Sequence, residues 1–236
     1  MHPLRGTSEG RDWPYLALPM LLACETVARS ASACLMAGGT ELAYRDLAGA
    51  EAERGLVALL DDLIRAHGLP SALAIAAGPG SFTGLRIGVS ALRTLGWLEG
   101  LAIHPVDSLA ARAAEAGDGL WWVLCQLKKD TTFHGLFRVA GDVVETVVPT
   151  TACLDATCPS LPAEAQAAIA IGPALTTKPG LAERWLPGVA LGSAAALTAR
   201  GVARLAPAVP AVTWEHLLPM YHQDPAPVLQ RRAGLS

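Results

Sequence analysis

AGPGSFTGLRIGVSALRTLGWLEG, residues 77–100, sets the reading of the whole chain. Five of the 23 glycines fall in it before residue 97, and two of them flank Pro79. Glycine permits a tight turn and a close approach by another backbone. From Ser81 or Thr83, either of which can cap a helix, the spacing turns helical. Leu85, Val89, Leu92 and Leu95 fall on one side, with Gly84 and Gly88 four apart on an adjoining stripe. The loop of Gly78, Pro79, Gly80 and Ser81 and the free N–H groups of a helix start suit an anion or a partner's polar groups. Two readings of the glycines stay open: the helix lies tightly on its own sheet, or this face docks against a helix of another protein.

Upstream, Met20 to Cys24, Ser32 to Met36 and Thr40 to Tyr44 read as three short strands, the last two joined by a hairpin at Gly38–Gly39. Ala50 to His67 carries apolar residues at 56, 59, 60, 63 and 64, an amphipathic helix ended by Gly68 and Pro70. Leu73 to Ala77 is a strand running into the glycine loop. Downstream come a strand at Ala102 to Val106 and an alanine-rich helix to Ala116, capped by Asp107 or Ser108. The pattern then restarts with strands at Leu120 to Leu127, Thr132 to Val139, Val143 to Val148 and Ala168 to Ile171. A helix candidate, Ser193 to Leu205, is capped by Ser193. The halves echo each other in architecture, not in sequence. The division expected is a flexible leader at 1–18, a first lobe at 19–105 and a second lobe at 106–236 with a proline-broken tail from Pro219.

Composition narrows the class. The 236 residues are 52% hydrophobic and 17% charged, with a formal net charge of −3 and no basic run longer than a pair. That argues against a protein that grips nucleic acid by itself. Five cysteines without a CxxC pair read as reduced thiols of a cytoplasmic protein. Leu21-Leu22-Ala23-Cys24 mimics a lipoprotein cleavage box, but Pro19 and the charges before it favour a buried first strand. No segment reaches the ~18 apolar residues of a membrane span.

Catalytic constellations fail one by one. The six histidines, 2, 67, 104, 134, 216 and 222, give no pair a turn apart for a metal. Ser81 lacks the glycine two residues before it that a nucleophile elbow needs, since Pro79 stands there. A P-loop would place Lys-Ser/Thr after its last glycine, where Leu85-Arg86 stands.

The GPGSFTGLRIG core resembles the signature of the TsaB (YeaZ) family, relatives of the glycoprotease-like proteins. LLACET at 21–26, IHPVDSLA at 103–110 and Pro219-Met220-Tyr221 resemble that family's opening strand and corner, the segment after its motif helix, and its C-terminal Pro-x-Tyr. The resemblance implies an α/β fold of two actin-like, ribonuclease-H-like lobes, each a mixed five-stranded sheet with helices. It implies a non-catalytic subunit that docks a TsaD-type catalytic paralogue, with a TsaE-type ATPase as third member. The paralogue would transfer threonylcarbamoyl to adenosine in tRNAs reading codons that begin with adenine. ATP and metal are expected on those partners and no cofactor on this chain; tRNA is met only through the complex, and no membrane. Docking is expected of Gly78, Pro79, Gly80, Ser81, Phe82, Thr83, Gly84, Leu85, Arg86, Gly88, Val89, Leu92 and Leu95, with a homodimer through the same helix when the partner is absent. Glu25 stands where the family has Asp, and Gln126-Leu127-Lys128-Lys129 where relatives carry Asp-Ala-Arg. The runner-up is an actin-like ATP-binding enzyme holding phosphates at the Gly78–Gly84 loop.

Overall fold

A computed structural model describes residues 19–49 and 51–221. The expected leader and the tail beyond Tyr221 lie outside the described residues. Strands β1 (Met20–Glu25), β2 (Ala31–Ala37), β3 (Thr40–Leu47), β4 (Ala72–Gly78) and β5 (Ala102–Asp107) form one sheet in the order β3-β2-β1-β4-β5. β6 (Gly119–Lys128), β7 (Thr131–Ala140), β8 (Val143–Leu154), β9 (Ile169–Ile171) and β10 (Ala190–Leu191) form the other, β10-β9-β6-β7-β8. In each, three antiparallel strands are followed by two that run parallel to the first. The architectural echo in the sequence is therefore a repeat of topology.

The alternation of side chains along the strands builds the layers. In the first sheet Leu22, Cys24, Leu73, Ile75 and Ile103 point to α2 (Leu56–His67) and α3 (Phe82–Glu99), meeting Leu59, Leu60, Leu63, Val89 and Leu92. The intervening Ala23, Ala74 and Ala76 point the other way, to α4 (Ser108–Ala116) and α7 (Ala199–Leu205). Small residues on that face let the two helices lie close, and Val123, Phe133 and Ile171 of the second sheet close the same core. The far face of the second sheet, with Trp122, Leu124 and Leu136, is covered by a 3₁₀ turn at Ala163–Ala167 and by α5 (Ala174–Thr177) and α6 (Leu181–Trp185).

Three differences from the expectation have local causes. The helix read over 50–67 is split by Gly55, leaving a single turn, α1 (Glu51–Arg54), before α2. β8 continues through Pro149 to Leu154 because it is the sheet edge, where a missing N–H removes no ladder bond. Ser193 caps no helix: Gly192 is pressed against Ile169 and Ile171, where a Cβ would stand 2.8 and 3.0 Å from their methyls. The chain stays irregular to Thr198, whose hydroxyl accepts from Arg200 N and caps α7.

The segment 212–221 returns to the first sheet. Ile103 and Val212 exchange backbone hydrogen bonds, Leu217 is fully buried among the first-sheet residues, and Met220 N donates to the Ala77 carbonyl. Cys24 lies near the end of β1, paired with Ala33 of β2 and Ile75 of β4 as the buried-strand reading expects, and burial pushes its thiol far above the ordinary range.

Candidate functional site

β4 delivers the chain to the glycine loop, and Ser81 opens α3 by accepting from Gly84 N. The corner after β1 meets this start. Ser81 N donates to the Val27 carbonyl, and Thr26 Oγ1 donates to the Gly84 carbonyl at 2.7 Å. A Cβ on Gly84 would stand 1.8 Å from the Thr26 carbonyl oxygen; on Gly88 it would stand 2.4 Å from Thr26 Oγ1, and on Gly80 2.3 Å from Val27 Cβ. The glycines thus serve close packing within the chain. At Gly78, with φ +130°, a Cβ would be 2.4 Å from the Met220 carbonyl oxygen. The loop is roofed by the chain's own C-terminal segment, and Ser81 already takes one N–H of the helix start. That leaves little of the cradle the phosphate reading required.

Burial divides the residues expected to dock. Gly78, Pro79, Leu85, Gly88, Val89 and Leu92 are buried within the chain itself, and Gly80, Gly84 and Leu95 are half-buried. A partner would find nothing of the buried six to touch. Ser81, Phe82, Thr83 and Arg86 are exposed, together with Ser90, Thr94, Trp97 and Leu98. Phe82, Arg86, Ser90, Thr94 and Trp97 follow one another at helical spacing, so the outer stripe of α3 carries an aromatic ring near each end.

That stripe is extended by neighbours. Phe82 is 54% exposed, Trp97 60% and Leu98 63%. Arg86 lies 3.9 Å over the Phe82 ring, Tyr221 packs against the same ring at 5.9 Å, and Trp214 meets Trp97 edge-on at 6.5 Å. On the adjacent helix Val57 is 66% exposed. Trp97, Leu98, Trp214 and Val57 were not singled out from the sequence. The outer positions of the α3 wheel held the signal for Trp97 and Leu98, but the eye follows the leucines.

The two corners expected to depart from the family pattern differ in kind. Glu25 is fully buried; its Oε1 accepts from Val27 N and Ala28 N, while Oε2 has no partner among the described residues. Burial pushes its carboxyl up to about 8, with Glu115 adding to the rise and the two backbone donors opposing it. The second, Gln126-Leu127-Lys128-Lys129, ends β6 and enters the turn before β7, with Gln126, Lys128 and Lys129 exposed and Leu127 half-buried. Beneath it, Lys178 Nζ is paired with Asp155 Oδ2 at 2.5 Å and donates to the Thr131 carbonyl. His134, buried between Trp122 and Trp185, is held down to about 4 by desolvation. Among the described residues no three His, Cys, Asp or Glu side chains are grouped to hold a metal. No helix among them is long and apolar enough to cross a membrane.

Residues 50–171, just over half of the chain, match the family described as "TsaD: tRNA N6-adenosine threonylcarbamoyltransferase". The tRNA threonylcarbamoyladenosine biosynthesis protein TsaB of Bacillus subtilis (strain 168) is 37% identical over 93 residues, 39% of this chain and 41% of that protein. TsaB of Haemophilus influenzae is 31% identical over 100 residues, 41% and 42% of the two chains. The chain thus spans about two fifths of the length of the curated relatives it matches. YeaZ from Pseudomonas aeruginosa superposes with a TM-score of 0.74 at 23% identity, covering 86% of this chain and 100% of that one. A second Pseudomonas aeruginosa structure, described as similar to peptidase YEAZ, gives 0.76 at 23%, covering 87% and 100%. These likenesses establish the two-lobed fold. The chain belongs to the tRNA N6-adenosine threonylcarbamoyltransferase (TsaD) family, on its TsaB/YeaZ side.

Proposed function

We propose that this chain is a partner subunit in tRNA threonylcarbamoyladenosine biosynthesis, docking a TsaD-type catalytic paralogue through the outer face of α3 and the neighbouring part of α2. The observation that carries it is the division of α3 into two stripes. Leu85, Val89 and Leu92 satisfy the chain's own core, yet Phe82, Trp97 and Leu98 remain exposed on the other side. Large apolar residues gathered on one outer face mark interaction surfaces, and aromatic and arginine side chains such as Phe82, Trp97 and Arg86 are the residue types enriched in interfaces.

In this reading the chemistry belongs to the paralogue, which carries the metal, with ATP there or on a TsaE-type ATPase. This chain contributes a shaped surface, has no cofactor of its own and works in the cytoplasm. Without its partner the same stripe pairs with a second copy. The alternative, an ATP-binding enzyme using the glycine loop, is disfavoured because Met220 occupies the space above Gly78 and Val27 that beside Gly80.

The test is reconstitution. Purified chain and paralogue are mixed with the ATPase, tRNA and the small-molecule substrates, and threonylcarbamoyladenosine is counted by mass spectrometry. Omitting this chain should abolish the product. Full product without it, or turnover of ATP by this chain alone in calorimetry with magnesium, would overturn the reading.

A further inference from the structure

Only three of the chain's eighteen Lys and Arg residues are lysines, Lys128, Lys129 and Lys178. The fold brings all three to one corner of the second lobe. Lys128 ends β6 opposite Thr131, Lys129 begins the exposed turn, and Lys178 reaches the same turn from the end of α5. Lysine is a compact, strongly hydrated charge on a flexible stem and meets phosphate as a point charge. An open cleft of about 790 Å³ at this corner is lined by Lys128, Lys129, Asp130, Asp155, Ala156 and Arg184.

Asp155 makes the corner rigid and removes itself as a competing charge. Its Oδ2 is paired with Lys178 and its Oδ1 accepts from Thr132 Oγ1 at 2.8 Å. Its N–H donates to the Asp130 carbonyl, and its own carbonyl accepts from Trp185 Nε1 and Arg184 Nη2. Asp130 Oδ1 is engaged by Thr131 Oγ1 at 3.2 Å. With Asp155 spoken for by Lys178, the cleft presents Lys128, Lys129 and Arg184 against the one exposed carboxylate of Asp130; Glu183, also exposed, is the neighbour of Arg184 in α6. Lys128 and Lys129 sit on this anchored frame, and Arg184 is tied to it through its hydrogen bond to the Asp155 carbonyl.

The corner belongs to the second sheet, which the α4/α7 layer and the whole first sheet separate from α2 and α3. A partner on the α3 stripe leaves it uncovered. The cleft is open and its lining has no aromatic wall for a base, which fits a passing polymer backbone better than an enclosed nucleotide. We propose that the Lys128–Lys129 turn, with Arg184, contacts the phosphodiester backbone of the tRNA brought to the complex. The proposal rests on the function given above for the identity of the RNA. It also matches a chain of net charge −3, which would supply part of a composite RNA surface and not a whole one.

The test uses the full-length chain reconstituted with its paralogue and fluorescein-labelled tRNA, titrated by anisotropy between 50 and 300 mM KCl. Gel filtration before the tRNA is added reports whether the two chains associate. Two lost phosphate contacts should weaken binding roughly tenfold near 150 mM salt and flatten the slope of log K against log [salt] by about 1.5. Lys128→Ala/Lys129→Ala should show both changes with the protein complex intact, and Lys128→Arg/Lys129→Arg should restore both. An unchanged affinity and slope would overturn the proposal. So would loss of the protein complex in the alanine variant, which would make the turn a protein contact, or micromolar ATP binding that the variant abolishes while tRNA binding stays. Should the wild-type chains fail to associate, the proposed function falls. The same titration on this chain alone still decides the turn, because the alanine variant must then bind tRNA more weakly than wild type.

Discussion

Thr26 and Gly84 hold each other at van der Waals range and by a hydrogen bond at once: Thr26 Oγ1 donates to the Gly84 carbonyl at 2.7 Å, and the Thr26 carbonyl stands where a Gly84 Cβ would be. The corner after β1 and the start of α3 are therefore one packed unit. Gly84→Ala must push the helix off the corner, at a cost of about 3 kcal/mol, the upper part of the range for overpacking. Urea denaturation should show it as a lower midpoint, while Ser90→Ala, exposed on the same helix, should stay within about 0.5 kcal/mol of wild type. Gly88→Arg should fail by unfolding, since its side chain would enter the space of Thr26 and Ile75.

Glu25 predicts an unusual pH profile. Its carboxyl titrates at about 8 when folded, chiefly through burial, and near about 4.3 when unfolded. Between these values the folded chain holds a proton that the unfolded chain lacks. This contribution is therefore full below about pH 4 and lost as pH rises through 8, with a slope of up to about 1.4 kcal/mol per pH unit. Glu25→Gln has no proton to lose and keeps an acceptor for Val27 N and Ala28 N. Its urea midpoint should change less between pH 5 and 8 than that of wild type; equal changes would refute the assignment.

The frame under the second-lobe turn predicts a large effect from one buried charge. Lys178→Met leaves the Asp155 carboxylate without its partner in a largely buried site. Removing one member of such a pair costs about 3 kcal/mol or more. Thermal unfolding should reveal a clear loss, and raising the salt concentration should not recover it, because a buried pair is weakly screened.

Every strand of both sheets except the two-residue β10 was legible, because apolar β-like runs and glycine turns mark them. The strand leading into the loop was also plain in 72–84, and of the two caps offered there, Ser81 and Thr83, the fold uses Ser81. What the sequence could not disclose was the direction of the stripes. A leucine row on α3 reads equally as a core face or a docking face until the sheet that receives it is placed. The roof over Gly78 was hidden for another reason, since Met220 lies 142 residues away in the chain and no local pattern links the two. The lysine corner was visible as a departure at Lys128–Lys129, but Lys178 joins it only through the fold.

The docking of a paralogue by the outer face of α3 is tested most directly by the dissociation constant of the two purified chains. Phe82→Glu and Trp97→Glu each place a charge on the exposed stripe without entering the core, so the melting temperature should hold. Each should weaken association by at least about 30-fold, the scale of a lost hot-spot residue, and product formation should fall in step. Association at wild-type strength in the double variant, with folding intact, would contradict the account.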